Sequence, residues 1–409
     1  MPDAEKLAAV REALPALGAG IYLNTGSAGP IPVESAAASE EVSSWELRTG
    51  RAHPDYFEIF LERMAEARAG IAAIIGADTD SIAVTHATTD GMNLATWAID
   101  WRPGERAVTS NQEHAGGLGP LVTVRDRFGV ELRFADIGDG GDDERTVAAF
   151  DAAILPGTRL VSLSHVLWTT GARLPVDRIA AIAHERGALV AIDGAQAIGA
   201  IPVAVEETGA DFYAVAGEKW LLGPEGTGGL WVAPAALERA AVSNVGYFSF
   251  ESIGLDGVAR LHPNARRFEA SNHHRPSIVG LARSCGWLSM YVGLPWIHAR
   301  GTALARAAAD RLAGIEGVEI VTPRERMATL ITFRIRGWSA DAALAELGSR
   351  VFAIARTVPS LDAIRISVGF FNTEAEIDRF AGAVELLAAN TPESLPPRPR
   401  LAILGQDDG

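Results

Sequence analysis

Lys219 is the residue whose surroundings most invite chemistry. It stands just past an apolar run, in Ala214-Val-Ala-Gly-Glu-Lys-Trp-Leu-Leu-Gly-Pro-Glu-Gly-Thr-Gly-Gly229, before a glycine-rich turn and a second apolar run. Desolvation in a cleft lowers a lysine's pKa and leaves its amine nucleophilic. Such an amine suits a Schiff base with an aldehyde cofactor such as pyridoxal phosphate. Taken alone, the spacing describes a surface lysine beside a hairpin equally well. Asp193 closes another apolar run, Val190-Ala-Ile-Asp-Gly-Ala-Gln196. A carboxylate there can keep a pyridinium nitrogen protonated and make the ring an electron sink, or simply cap the next turn. Thr85-His-Ala-Thr-Thr-Asp-Gly91 opens a helical stretch, where hydroxyls and free N–H groups can hold a phosphate or form an N-cap only. His114 follows the run Ala107–Asn111 and can stack on an aromatic ring, or be structural. Together the four supply an electrophile anchor, a ring-nitrogen partner, a phosphate cradle and a stacking group.

The elements that must position them follow from the apolar patterning. Candidate strands are Ser81–His86, Ala107–Asn111, Glu131–Asp136, Arg159–His165, Ala188–Asp193, Phe212–Ala216 and Gly229–Val232. Amphipathic helices lie between several of them, at Gly91–Ile99, at Asp177–Arg186 and after His114. Alternation with nearly continuous apolar strands predicts an α/β fold with a mostly parallel sheet covered on both faces. Ligands of such sheets sit beyond the carboxyl ends of the strands. A helix over Ser277–Tyr291 and another over Pro295–Gly314 then precede strands near Val318–Val321, Ala328–Ile335, Phe352–Arg356 and Ala363–Ser367, with a last helix near Thr373–Ala389. This second block reads as a smaller α+β domain, and the proline-rich tail 391–409 as irregular.

The chain has 409 residues, net charge −15 and a single cysteine, Cys285. The acidity disfavours a nucleic-acid partner. One cysteine excludes an internal disulfide and any multi-cysteine metal site. The N-terminal 20 residues read as an amphipathic helix rather than a signal peptide, and no window is apolar enough to span a bilayer. The expectation is a cytoplasmic protein with no membrane partner. Nothing matches Gly-x-Gly-x-x-Gly between a strand and a helix, which disfavours a dinucleotide enzyme.

With these residues in view, the sequence resembles the class V aminotransferase group of fold-type-I pyridoxal-phosphate enzymes, which includes cysteine desulfurases, isopenicillin N epimerase-like proteins and cysteine/cystine C–S lyases. The motifs that carry the resemblance are Tyr22-Leu-Asn-Thr-Gly-Ser-Ala-Gly-Pro30, Thr88-Thr-Asp-Gly-Met-Asn93, Glu113-His114, Ser164-His-Val-Leu-Trp168, Asp193-Gly-Ala-Gln196, Gly217-Glu-Lys-Trp220, Arg267-Phe-Glu-Ala270 and Arg365-Ile-Ser367. The resemblance implies a large cofactor-binding domain over 21–260 with a mostly parallel seven-stranded sheet. It implies a small domain over 261–390 and an arm, 1–20, packed on that small domain. It implies pyridoxal 5'-phosphate held by Lys219, with Asp193 at the pyridine nitrogen and His114 stacked on the ring. Gln196 and His165 would lie near the phenolic oxygen, and Thr88 and Thr89 at the phosphate. Arg365 would grip the α-carboxylate of an amino-acid substrate, with Arg356 as a second anionic clamp and Asn24 and Ser27 lining the pocket. Asn272 stands where the family often has a threonine reaching the partner subunit's phosphate, which implies a homodimer with shared active sites.

Two departures sharpen the expectation. Ala216-Gly-Glu218-Lys219 lacks the serine and histidine that often precede the lysine, so Glu218 is expected to turn away or to pair with Arg266, Arg267 or Arg275. The segment Thr357-Val-Pro-Ser-Leu-Asp-Ala-Ile364, between the two arginines, carries no cysteine where a desulfurase has its nucleophile, and Cys285 falls on an apolar helix face. The expected activity is therefore a C–S β-lyase working without a protein persulfide. Epimerisation, transamination and decarboxylation are the alternatives on the same site.

Overall fold

The run Leu189–Asp193 shows how the sheet is made. Its five residues are all buried; Leu189 and Ala191 face one apolar core, Val190 and Ile192 the other. Only a strand with helices on both sides uses apolar residues at every position. In the computed structural model, which describes residues 3–398, seven strands form the main sheet, buried at the centre and partly exposed at the edge strand Glu131–Ala135. They are β1 (Ile82–Thr85), β2 (Arg106–Ser110), β3 (Glu131–Ala135), β4 (Thr158–Ser164), β5 (Leu189–Asp193), β6 (Phe212–Ala216) and β7 (Gly228–Val232). Their order is β1-β7-β6-β5-β4-β2-β3, and only β7 runs antiparallel to its neighbours. Helices Thr88–Trp97 and Ala115–Phe128 cover one face; Tyr56–Ile75, Asp143–Ala153 and Val176–Glu185 cover the other.

The edge strand β1 is held by a buried ion pair. Arg68 reaches the Glu269 carboxylate at 2.8 and 2.9 Å, and the same carboxylate accepts the Val84 N–H at 2.9 Å. The Arg267-Phe-Glu-Ala270 motif is thus a clamp on a sheet edge.

The second block has an antiparallel sheet of β8 (Val318–Ile320), β9 (Leu330–Ile335), β10 (Arg356–Val358) and β11 (Ala363–Ser367), in the order β8-β9-β11-β10. The single strand expected over Phe352–Arg356 is in fact two pieces. Phe352 takes a left-handed conformation (φ 55°) that swings the chain out of the preceding helix. Ala353–Ile354 then pairs in parallel with Ile21–Tyr22, while Arg356–Val358 joins the small sheet. The helix expected over Ser277–Tyr291 spans Arg275–Gly286 and continues as a π-helical turn, Trp287–Val292. There the Ser289 hydroxyl donates to the Cys285 carbonyl at 2.8 Å, a back-bond of the kind that distorts a helix.

The N-terminal helix Asp3–Glu12 is tied to the second block by Arg11, which donates to the Phe371 carbonyl at 2.8 Å and pairs with Glu376 at 2.7 Å. In the tail, 391–398 has no helix or strand, and 399–409 lies outside the described residues. No helix among the described residues is long and apolar enough to cross a membrane.

Candidate active site

A cavity of about 290 Å³ opens beyond the ends of β4, β5 and β6, against the small sheet. Its walls include Ser27, Thr88, Thr89, His114, Asp193, Gln196, Lys219, Arg356 and Arg365, so nine of the twelve residues singled out from sequence converge there.

The helix Thr88–Trp97 points its N-terminus into this cavity. Ala87 at its N-cap supplies no side-chain bond, and the Thr88 hydroxyl is buried without a partner. Unused N–H groups and an unused hydroxyl at a helix start form an anion cradle. A second helix start, at Ala115, converges on it. A Cβ on Gly116 would lie 2.3 Å from the Thr89 hydroxyl, so only glycine allows the approach. His114 caps that helix, its Nδ1 accepting the Gly116 N–H at 3.1 Å. The neutral ring's proton therefore sits on Nε2. Burial, then the Lys219 charge, lower its pKa.

Asp193 ends β5, and its Oδ1 accepts the Ala195 N–H at 2.9 Å. Lys219 sits in a loop closed by Gly223 N–H to Gly217 O at 2.8 Å and by Leu222 N–H to Lys219 O at 3.1 Å, with Leu222 at φ 56°. Burial lowers the Lys219 pKa; Asp193 and Glu218 work against that.

Glu218 departs from expectation. It lines the cavity, and its Oε2 is buried without a partner. None of the three arginines meets it. Arg275 is taken by Glu46 at 2.6 Å, Arg267 by the carbonyls of His262 and Leu237, and Arg266 lies by Arg68 and Glu269. Left in a poorly solvated wall, Glu218 is pushed above the usual carboxylate range, chiefly by desolvation.

Arg356 and Arg365 face each other across β10 and β11 as register partners. Like charges so placed repel unless an anion sits with them. Arg365 is buried and donates through Nη1 to the Trp168 carbonyl at 2.8 Å, while its Nε and Nη2 find no acceptor. Burial, then Arg356, lowers it to about 9. Two adjacent unused N–H donors match a carboxylate's two oxygens. Arg356 lies over the Trp168 ring at 5.6 Å and touches the Ser27 hydroxyl at 3.5 Å. Gln196 has both ends of its amide engaged, donating to the Gly26 carbonyl at 2.7 Å and accepting from the Trp220 indole at 3.0 Å.

Three of the singled-out residues are not in the wall. His165 points the other way from Ser164 and Val166, which do line the cavity, as the alternation of a strand dictates. Its Nδ1 lies 2.8 Å from the Tyr213 hydroxyl, and burial drops its pKa to about 3. Asn24 bridges to Ser367 beside the cavity. Asn272 is exposed, on the segment before the helix Arg275–Gly286. Conversely, Glu113, Ser164 and Trp168 gather at the site although sequence reasoning gave them no role. Glu113 bonds the Ser110 and Ser164 hydroxyls, and Trp168 stands edge-on to His114 at 5.5 Å. The available signal was adjacency: Glu113 precedes His114, and Trp168 falls four residues after Ser164.

The donor set fits pyridoxal phosphate. The uncapped helix start with the orphaned Thr88 hydroxyl suits a phosphate, Asp193 suits a protonated ring nitrogen, and the buried Lys219 amine suits an aldehyde. Cys285 is buried, and its thiol is pushed up to about 12 by desolvation.

The family model for class-V aminotransferases matches residues 21–380. Isopenicillin N epimerase of Streptomyces clavuligerus is 30% identical over 385 residues, covering 90% of this chain and 94% of that protein. A probable cysteine desulfurase of Methanothermobacter thermautotrophicus is 27% identical, covering 93% and 97%. A probable cysteine desulfurase of Mycolicibacterium paratuberculosis is 32% identical over 337 residues, 79% of this chain but only 48% of that longer protein. Among solved structures, the cystine C–S lyase C-DES in complex with its product cysteine persulfide superposes with a TM-score of 0.85 at 24% identity, covering 91% of this chain and 99% of that one. The apo cysteine desulfurase of Thermococcus onnurineus gives 0.83 at 25%, covering 93% and 98%.

Proposed function

The chain belongs to the class-V aminotransferase family, whose cofactor is pyridoxal 5'-phosphate, and we propose that it is a C–S β-lyase of cysteine-derived amino acids that uses no protein persulfide. The observation that carries this reading is the hairpin between the two arginines. It turns tightly through Pro359–Leu361, contains no cysteine, and leaves Cys285 as the one thiol, deep in the core.

In this reading Thr88, Thr89 and the free N–H groups of their helix hold the phosphate. Asp193 would hold a proton on the ring nitrogen, His114 would stack on the ring, and Gln196 would lie toward the phenolic oxygen. The cofactor, when bound, supplies the electron sink that lets the bond from Cα to hydrogen ionise. Arg365 takes the substrate α-carboxylate on Nε and Nη2. Lys219 then accepts the Cα proton on Nζ, as its depressed pKa permits. Glu218 faces the same space, and burial raises its pKa, the direction that suits a carboxyl donating a proton to the departing sulfur. Arg356 and Ser27 bound the far end, where Arg356 selects substrates with a distal anionic group, while Asn24 stands just outside the wall. Breaking the bond between Cβ and sulfur with uptake of one water yields thiol, pyruvate and ammonia. Asn272, exposed within one chain, is assigned to the phosphate of a second copy, which makes the working form a homodimer. We place it in the cytoplasm, in keeping with its single unpaired cysteine.

The test is a panel of cystine, cysteine sulfoxides and thioether conjugates, read by mass spectrometry for pyruvate and for the sulfur product each releases, a persulfide, a sulfenic acid or a thiol respectively. Lys219→Ala should abolish both products and the cofactor's visible absorption band, whereas Cys285→Ala should abolish neither. No pyruvate from any member of the panel sinks the lyase reading. The 30% identity to an epimerase favours isomerisation as the second reading; Cα deuterium exchange without elimination would select it.

A further inference from the structure

Glu113 is a carboxylate without a cation. Ser110, at the end of β2, donates its hydroxyl to Oε1 at 2.5 Å, and Ser164, at the end of β4, donates to Oε2 at 2.6 Å. Among the described residues the charged group that acts on it is another acid, Asp193. A poorly solvated carboxylate with no positive partner is costly, and glutamine could bridge the same two hydroxyls. The acid therefore invites a reason beyond bracing the loop.

That reason lies in the sheet register. Ser164 on β4 is the direct partner of Asp193 on β5, and both line the cavity. Glu113 thus stands one hydroxyl behind the wall that presents Asp193, and its chain neighbour is His114 on the same cavity. We propose that Glu113 is a positioning residue that, through Ser164, braces Asp193 and sets how firmly Asp193 would hold a proton on the cofactor's ring nitrogen. The proposal rests on the reading of Asp193 given above.

The sign follows from the groups that face Glu113: Ser110 from β2, Ser164 from β4, Asp193 from β5, and His114 beside it in the chain. Burial, and to a lesser degree the Asp193 charge, push Glu113 up to about 7 against the pull of both hydroxyls. Below neutrality it is uncharged. Above neutrality it adds a negative charge behind Asp193, which tightens the hold on a cationic ring nitrogen.

The experiment follows the absorption spectrum of the holoenzyme against pH in wild type, Glu113→Gln, Glu113→Asp and Asp193→Asn. Wild type should show a spectral step with a midpoint near neutrality. That step should vanish in Glu113→Gln and return, displaced, in Glu113→Asp. A purely structural role predicts Glu113→Gln and wild-type profiles that superimpose, and that result overturns the proposal. An Asp193→Asn spectrum unchanged at every pH would instead overturn the ring-nitrogen reading beneath it. Should Glu113→Gln bind no cofactor, apo-protein unfolding midpoints decide. A group whose folded pKa is raised destabilises the fold as pH climbs from its unfolded value toward about 7. Wild type should lose stability relative to Glu113→Gln over that window; parallel curves would show that Glu113 does not charge near neutrality and would overturn the proposal.

Discussion

Arg365 owes its usefulness to what it lacks. One nitrogen is committed to the Trp168 carbonyl, and the two left over form one edge of the guanidinium. Lysine would keep the charge but lose the edge. Arg365→Lys should therefore cut kcat/KM by about 100-fold, roughly 2–3 kcal/mol, mostly through KM. Arg356→Ala should hurt only substrates with a second anionic group. Steady-state kinetics on paired substrates, with and without that group, reads both effects; an unchanged KM for Arg365→Lys would remove it from carboxylate binding. At this scale the sequence was legible where a cavity side chain ends an apolar strand, as Asp193 does, or follows one closely, as Lys219 does. It was less so where partners come from separate strands. Glu113 acquires meaning only when Ser110 and Ser164, 54 residues apart in the chain, end side by side. The fate of Glu218 was also hidden, because which arginines remain free depends on their own distant partners, such as Glu46 for Arg275.

Elements carry the stability expectations. Glu269 neutralises Arg68 and also occupies the Val84 N–H of the edge strand. Glu269→Ala leaves a buried guanidinium unpaired, and should cost about 3–5 kcal/mol in denaturant unfolding of the apo protein. A loss under about 1 kcal/mol would mean that β1 is held otherwise. His165 gives the pH dependence. Its folded pKa, about 3, lies below the unfolded value of 6.5, so the unfolded chain binds the proton first. Stability contributed by neutral His165 is complete above about pH 6.5 and drains away as pH falls toward about 3. Urea midpoints at descending pH should drop for wild type and drop less for His165→Gln; equal slopes would refute this. Every strand of the main sheet was predictable, the central ones because they are nearly continuous apolar runs and the edge strand Glu131–Ala135 from its place in the alternation of strands and helices. The second block was harder. Phe352 sits in a left-handed conformation that its residue type does not advertise, so one apolar run became two strands. His165 was misplaced by the step that separates odd from even positions: being next to Ser164 puts it on the opposite side.

For the whole molecule, the sharpest expectation concerns shared sites. Co-expressed Lys219→Ala and Asn272→Ala chains should yield mixed dimers in which one site has both residues intact. Activity should exceed that of either variant alone, and purely additive activities would argue against sharing. The net charge of −15 and the absence of a spanning helix among the described residues say little more than what the protein avoids. The path of the chain says more. Residues 21–29 touch three distant places: Ile21–Tyr22 pairs with Ala353–Ile354, Gly26 O accepts from Gln196, and Gly29 N–H donates to the carbonyl next to Lys219. A Cβ on Gly26 would fall 2.7 Å from the Ser367 hydroxyl, so the fit reaches nearly to the last helix. An early part of the chain must thus wait for the late part before it has anywhere to settle. During synthesis, when N-terminal segments fold first, the central sheet can form while the pocket is still roofless. A nascent chain consequently carries Lys219 before the walls around it are in place, and the cavity is complete only once translation has passed residue 367.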